Sequence, residues 1–374
     1  MLRASLLRTL VAASTVGAGL TLAPAATAAD TGRWKIAHVH DWDAYDAIDQ
    51  IVTTGPANAW AFGQASATGR FVPTAERWNG TSWEPTALPP KVVRSFTAAE
   101  ATGPNNVWAF SGGDQTGRSY AIRWNGKRWI ISRSWPSGKY VSDAAVLSPR
   151  DVWVFGSSGI GAGIGTWHYD GTAWSPVDTP IGGLGRASAV AADDIWAVGG
   201  RQTGYDLLAR WDGTTWSAVE IPGLPQGDEH FVAFHDVHAA SSKDVWIAGS
   251  ESTYSEEGGY SQTPLALHFD GTTWERLQVP DVGSDSLHRV EPDGRGGVYF
   301  VPSVDEPYTT PALLRHANGR WTKVRPQRPG GQAVRVNDVA AVPRSGSLWA
   351  VGEVFPVDRG GSDSAIWVKG ALPQ

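Results

Sequence analysis

The chain has 374 residues, 41% apolar and 18% charged, with a formal charge of -6. Its 44 glycines, 24 prolines and 20 tryptophans, together with the absence of cysteine, exclude a coiled coil, a disordered chain, a disulfide framework and any thiolate site. The acidic balance argues against nucleic acid as a partner, because phosphate binding needs a basic face.

In chain order, residues 1–28 come first and read as a secretory signal peptide. Arg3 and Arg8 form the basic start, Leu10 to Leu22 is a short apolar run, and Ala26-Thr27-Ala28 is a cleavage site of the small-x-small kind. A secreted, extracellular protein beginning near residue 29 is expected, with no membrane insertion, since no later stretch is apolar for long enough to span a bilayer. Gly32 to Ile36 then reads as a lone strand carrying Trp34.

From there a repeat takes over. Asn58-Ala-Trp60-Ala-Phe-Gly63 is followed by Asn106-Val-Trp108-Ala-Phe, Asp151-Val-Trp153-Val-Phe-Gly156, Asp194-Ile-Trp196-Ala-Val-Gly199 and Asp244-Val-Trp246-Ile-Ala-Gly249. Gly297-Val-Tyr299 is a degenerate member and Ser347-Leu-Trp349-Ala-Val-Gly352 the last. A second column of tryptophans follows at 83, 129, 174, 216, 274 and 321, mostly after Asn-Gly or Asp-Gly. The cleanest unit predicts four strands, at Ser188–Ala192, Asp194–Gly200, Leu207–Trp211 and Thr215–Val219. Asp212-Gly213 reads as a two-residue hairpin with both residues at positive φ.

Four antiparallel strands at this period make a propeller blade. The last unit has three strands, at Val336–Ala341, Leu348–Gly352 and Ser364–Val368, and no fourth. The strand at Trp34 supplies the missing one, which closes seven blades into a ring without a free edge. The expectation is therefore an all-β, seven-bladed β-propeller forming a single domain over residues 29–374.

The unit resembles the kelch repeat. An aromatic strand ends in glycine at Ile195-Trp-Ala-Val-Gly-Gly200, a second aromatic strand follows at Arg210-Trp-Asp-Gly213, and Trp216 opens the outer strand. It is also similar to Trp-rich repeats of secreted actinobacterial proteins. At the end of that aromatic strand a Gly-Gly pair stands only at 112–113 and 199–200, the other units having one glycine or none, so the resemblance implies the fold and leaves function open. Copper radical oxidases on kelch-like folds use a cysteine–tyrosine cross-link, which a chain without cysteine cannot make.

Most tryptophans fall in repeat columns and read as packing residues. These include a third-strand column at 78, 124, 211 and 367, alongside Tyr169, Phe269 and His316. Trp42 and Trp135 fall outside the register, in connections between blades, and are candidate ligand-binding residues. The long connections join strands two and three of a blade, or one blade to the next, so a single face carries them all and is the expected site. On that face lie His38, His40 and Asp41, and the run His230, His235, Asp236 and His238. None matches a defined zinc motif, and no metal or cofactor is expected.

The inner strands, aligned on the tryptophan column, place Gln50, Ala98, Asp143, Ser188, Asp236, Arg289 and Asp338 in one ring. Val52, Glu100, Ala145, Val190, His238, Glu291 and Ala340 follow in a second. They imply a mixed-charge tunnel. No serine or cysteine nucleophile motif is present. The expected function is a secreted, non-enzymatic binding protein whose loop-rich face takes an extracellular glycan or a secreted or surface protein. The competing class is a carbohydrate-active enzyme, a glycoside hydrolase or polysaccharide lyase, using Asp236 with Glu291 or Asp338.

Overall fold

The computed structural model describes residues 21–23, 33–40, 45–67, 70–112, 117–156, 163–201, 206–225, 227–255, 258–303, 309–358 and 360–373. Seven sheets, each with four antiparallel strands of one blade, form the ring, and among the described residues the one helical element is the three-residue 3-10 turn Pro329–Gly331. A short parallel strand, Thr21–Ala23, adds to the outer edge of the fifth sheet. Blade 1 spans residues 47–85, blade 2 96–135, blade 3 143–177, blade 4 182–219, blade 5 230–277 and blade 6 287–324. Blade 7 is Ala333–Ala341, Leu348–Phe355 and Asp363–Lys369, completed by Trp34–His40 from the other end of the chain.

Closure is built from side chains as well as the ladder. Trp34 is 1% exposed and packs edge-on against Tyr299 of blade 6, with ring centroids 5.9 Å apart. Across the seam from blade 7 to blade 1, Ile51 N–H donates to Asp338 Oδ2 at 2.9 Å and Thr53 Oγ1 donates to the Ala341 carbonyl at 2.6 Å. Asn337 Nδ2 donates to the Ile48 carbonyl at 3.0 Å. Three hydrogen bonds thus cross the joint between the last blade and the first.

Each core cluster lies between neighbouring blades. Trp60 of blade 1 meets Trp124 and Trp129 of blade 2 at 4.8 and 5.0 Å, and Trp153 of blade 3 meets Trp211 and Trp216 of blade 4 at 5.0 and 6.0 Å. A blade alone would leave one of these faces in water, which is why stacking and folding are one event.

The glycine of the repeat has a specific task. Inner strands carry a β-bulge near their start, at residues 48/50, 184/186, 234/236 and 336/338 among others. A Cβ on Gly63, Gly199, Gly249 or Gly352 would lie about 2 Å from a carbonyl oxygen there, for example 1.9 Å from Ala47 O and 2.0 Å from Arg335 O. Only glycine lets the bulged backbone come that close.

Three details of the sequence reading are corrected. The turns before the outer strand are four-residue loops in most blades, since Trp78 pairs with Trp83 and Trp211 with Trp216. The Asp212 side chain caps its loop by accepting from Thr214 N and Thr215 N, both at 2.8 Å, so only the glycine needs positive φ. In blade 6 alone, Ala317 pairs with Arg320 around a two-residue Asn318-Gly319 turn, with φ of 52° and 69°. Next, Trp367 is not in the third-strand column. Lys369 stands there, opposite Leu348, and its ammonium donates to Tyr299 Oη at 2.8 Å. Finally, Trp135 is not on a loop. It ends the strand Trp129–Trp135, pairs with Ser119, and is 2% exposed against Trp167 and Trp174. That burial removes it from any surface a ligand reaches.

Candidate functional site

The bulges decide what faces the tunnel, because an extra residue turns two successive side chains inward. Register places Gln50, Ala98, Asp143, Arg186, Asp236, Arg289 and Asp338 at one level. Blade 4 thus contributes Arg186, where the sequence alignment put Ser188. Ser188 pairs with Trp196 and belongs to the second level, with Glu100, His238 and Glu291, in place of Val190. The ring alternates Asp, Arg, Asp, Arg, Asp from blade 3 to blade 7.

These carboxylates are occupied. Asp143 Oδ2 accepts from Ala187 N at 2.9 Å, Asp236 Oδ2 from Val290 N at 3.0 Å, and Asp338 Oδ2 from Ile51 N, each bond reaching the next blade. Arg186 lies 3.8 Å from Asp143, and Arg289 lies 3.9 Å from both Asp338 and Glu291. The lining encloses a cavity of 330 Å³. Burial, with neighbouring carboxylates, raises Glu100 to about 8 and Asp49, at the loop-side mouth, to about 7. Burial raises Asp143 to about 6 against the pull of Arg186. Burial lowers His238 to about 4 and His288 to about 3, which keeps both neutral at pH 7. Asp236, proposed from sequence as an acid or base, is instead aimed at a backbone N–H, a strut between blades 5 and 6. Sequence reasoning missed Arg186, although it stands ten residues before Trp196, as Asp143 does before Trp153.

The loop-rich face carries the strand-two to strand-three hairpins and the blade-to-blade connections, as expected. An accessible pair of aromatic rings lies on the blade 5 hairpin of Asp244–Tyr254 and Tyr260–Phe269. Tyr254 and Tyr260 are 47% and 54% exposed, with ring centroids 5.0 Å apart, and Phe231 stacks behind Tyr254 at 6.1 Å. Polar groups crowd the same strands. His230 Nε2 meets Glu251 Oε1 at 2.5 Å, Arg276 pairs with Glu251, and Tyr260 Oη bonds to Gln262 and lies 3.2 Å from Ser252 Oγ.

Of the sequence candidates, His230 therefore belongs to this cluster. His235 sits apart at the blade 5–6 junction, with Nδ1 3.1 Å from the Leu287 carbonyl and 3.0 Å from Ser286 Oγ. Asp236 and His238 line the tunnel. His38 and His40 stand side by side on the closing strand, with Glu76 of blade 1 bonded to His40 at 2.8 Å. Trp42 and Asp41 lie outside the described residues. The tyrosines stand outside the tryptophan columns and carry no repeat signature; their place in the long hairpin of blade 5 is the signal the sequence offers.

A second accessible patch lies on the same face, where Phe71 and Val93 are 55% and 54% exposed between Arg70 and Arg94. Among the described residues, no helix is long and apolar enough to cross a membrane.

No family model matches the chain, and no curated protein matches it. Solved structures do. YCF48 bound to D1 peptide superposes with a TM-score of 0.57 at 12% identity, over 92% of this chain and 99% of that one. The N-terminal domain of Nup159 gives 0.56 at 11% identity, over 95% of this chain and all of its own. At such identities the likeness is one of fold, and the class is that of the seven-bladed β-propellers.

Proposed function

We propose that this chain is a secreted, non-enzymatic binding protein that holds an extracellular glycan on its loop-rich face, at the blade 5 hairpin. The observation that carries this reading is the exposed Tyr254–Tyr260 pair beside Glu251, Arg276, Gln262 and His230. Tyrosine rings offer flat apolar faces to the C–H side of a sugar, and the flanking carboxylate, guanidinium and amide satisfy hydroxyls. Hydrophobic groups left this open on a rigid scaffold usually mark a contact surface. The signal peptide read at residues 1–28 supports an extracellular ligand, and the kelch-like blade order is kept as a likeness of residue pattern.

The enzyme alternative has less support. The tunnel carboxylates Asp143, Asp236 and Asp338 each tie down a backbone N–H of the next blade, which suits a strut better than an acid or base. A protein partner is the second reading. The Phe71–Val93 patch, flanked by Arg70 and Arg94, suits an extended peptide, and YCF48 has been solved with a peptide bound.

The test is a glycan array followed by calorimetry on the hit, with Tyr254→Ala and Tyr260→Ala. Both side chains are exposed, so the variants fold. A loss of about 1–2 kcal/mol, or roughly tenfold in affinity, is expected for each aromatic removed. No binding to any glycan, or binding indifferent to both variants, overturns the glycan reading.

A further inference from the structure

Glu76 breaks the repeat. It occupies the third-strand position opposite the residue that follows the column aromatic, pairing with Ala61. In the other six blades that position holds Ile122, Trp167, Ala209, Leu267, Leu314 and Trp367. All six are apolar, yet the carboxylate of Glu76 is as buried as they are, with its side chain 5% exposed. A carboxylate in a core position costs stability unless something compensates it.

Its neighbours break the repeat too. The closing strand Trp34–His40 has the same bulge as the outer strand of blade 2, which puts His38 level with Arg133 and His40 level with Trp135. In the blade 2–3 interface, Trp135 packs on Trp167 at 6.2 Å and Arg133 covers that ring at 3.9 Å. At the ring closure the same three positions are His40, Glu76 and His38. An aromatic sandwich has been replaced, position for position, by two imidazoles and a carboxylate. Among the described residues, His38, His40 and Glu76 are the one set whose ligand atoms all lie within 4.8 Å of one another.

We propose that this set binds a divalent transition-metal ion, zinc in type, held by His38 and His40 of the closing strand and oriented by Glu76 of blade 1. His38 Nε2 and His40 Nδ1 face each other at 3.2 Å. Zinc–nitrogen bonds of about 2.0–2.1 Å place adjacent tetrahedral donors about 3.3–3.4 Å apart, so the two nitrogens already have the spacing of two donors to one ion, and a small ring rotation turns their lone pairs from each other to the metal. His40 Nε2–H donates to Glu76 Oε2 at 2.8 Å. That is the carboxylate–histidine–metal arrangement, in which the carboxylate fixes the tautomer and presents the other ring nitrogen to the ion. Glu76 is then a positioning residue, and water completes the sphere on the open side of His38. Binding requires His38 as its Nδ1–H tautomer: the proton that sits between the two imidazoles leaves Nε2 for Nδ1 by way of solvent, and no net proton is released.

The test uses the tag-free chain, titrated with Co2+ and Zn2+ by absorption spectroscopy and calorimetry, with melting followed in parallel. One equivalent binding in the micromolar range is expected, with cobalt d–d bands and a melting temperature raised by a few degrees at saturation. His38→Gln, whose side chain is partly exposed, should abolish all three. Glu76→Gln should weaken binding about 10–100-fold while leaving the cobalt bands in place at high metal. If the set were only a hydrogen-bonded relay, Glu76→Gln would shift the melting temperature equally with and without zinc. A wild-type protein that gives no cobalt bands, or binding that His38→Gln leaves intact, overturns the proposal, and the first result needs no variant to fold.

Discussion

Removing Trp34 tests the closure of the ring. The indole is fully buried between blades 6 and 7, touching Tyr299 and clustered with Val301, Leu313, Val334 and Trp367. Tryptophan-to-alanine changes at such sites cost about 3–5 kcal/mol, from lost transfer energy plus the cavity left behind. That is a large part of a total stability of about 5–15 kcal/mol. The comparison that gives the number meaning is Trp83→Ala. Trp83 holds the same place in the outer strand of blade 1, deep inside the sequence, and is 9% exposed. A closed ring predicts similar losses at the two positions, measured by urea unfolding followed by circular dichroism. A terminal strand that frays would make Trp34→Ala nearly silent while Trp83→Ala stays costly. A loss below about 1 kcal/mol at Trp34, with a full loss at Trp83, refutes closure by the N-terminal strand.

The tunnel and the bulges give three more. Asp338→Ala leaves Ile51 N–H without its acceptor and takes from Arg289 one of its two ion-pair partners, Glu291 remaining; about 2–4 kcal/mol is expected, read from urea midpoints. Gly199→Ala drives a methyl into the Gly183 carbonyl and should cost about 1–3 kcal/mol, whereas Gly200→Ala beside it meets nothing within 4 Å and should cost less than 1 kcal/mol. Glu100 is raised to about 8 in the fold, from an ordinary value near 4.5. The native state therefore holds a proton that the unfolded chain gives up. Stability from this group is complete below pH 4.5 and is lost as pH rises to about 8. Glu100→Gln should then raise the melting temperature by several degrees at pH 9 and leave it unchanged at pH 4; a shift of equal size at both would contradict the burial argument.

Much of the fold was legible because the blade writes itself into sequence at short range. The Asp-Val-Trp-Ala-Val-Gly strand, the Asx-capped loop and the following tryptophan all sit within one unit, and the glycine answers a bulge in the adjacent strand. The site was less legible. Arg186 was hidden by a slip of two residues that moved blade 4 out of register, which the ten-residue spacing to Trp196 would have prevented. Trp135 looked like a loop residue because the outer strand of blade 2 runs on past a bulge between Ile131 and Arg133. The partnership of His40 with Glu76 could not be read locally. It forms across the ring joint, between the strand that ends the last blade and the third strand of the first. The one trace in the sequence was a carboxylate in an otherwise apolar column.

The most direct measurement is amide hydrogen exchange on the protein with and without the best glycan from the array. Binding at the blade 5 hairpin predicts slowed exchange confined to residues 251–254 and 260–262, with blades 2 and 3 unchanged. Protection centred on residues 70–73 and 88–94, or around the tunnel mouth at Asp49 and His288, would contradict the account and place the ligand elsewhere on the disc.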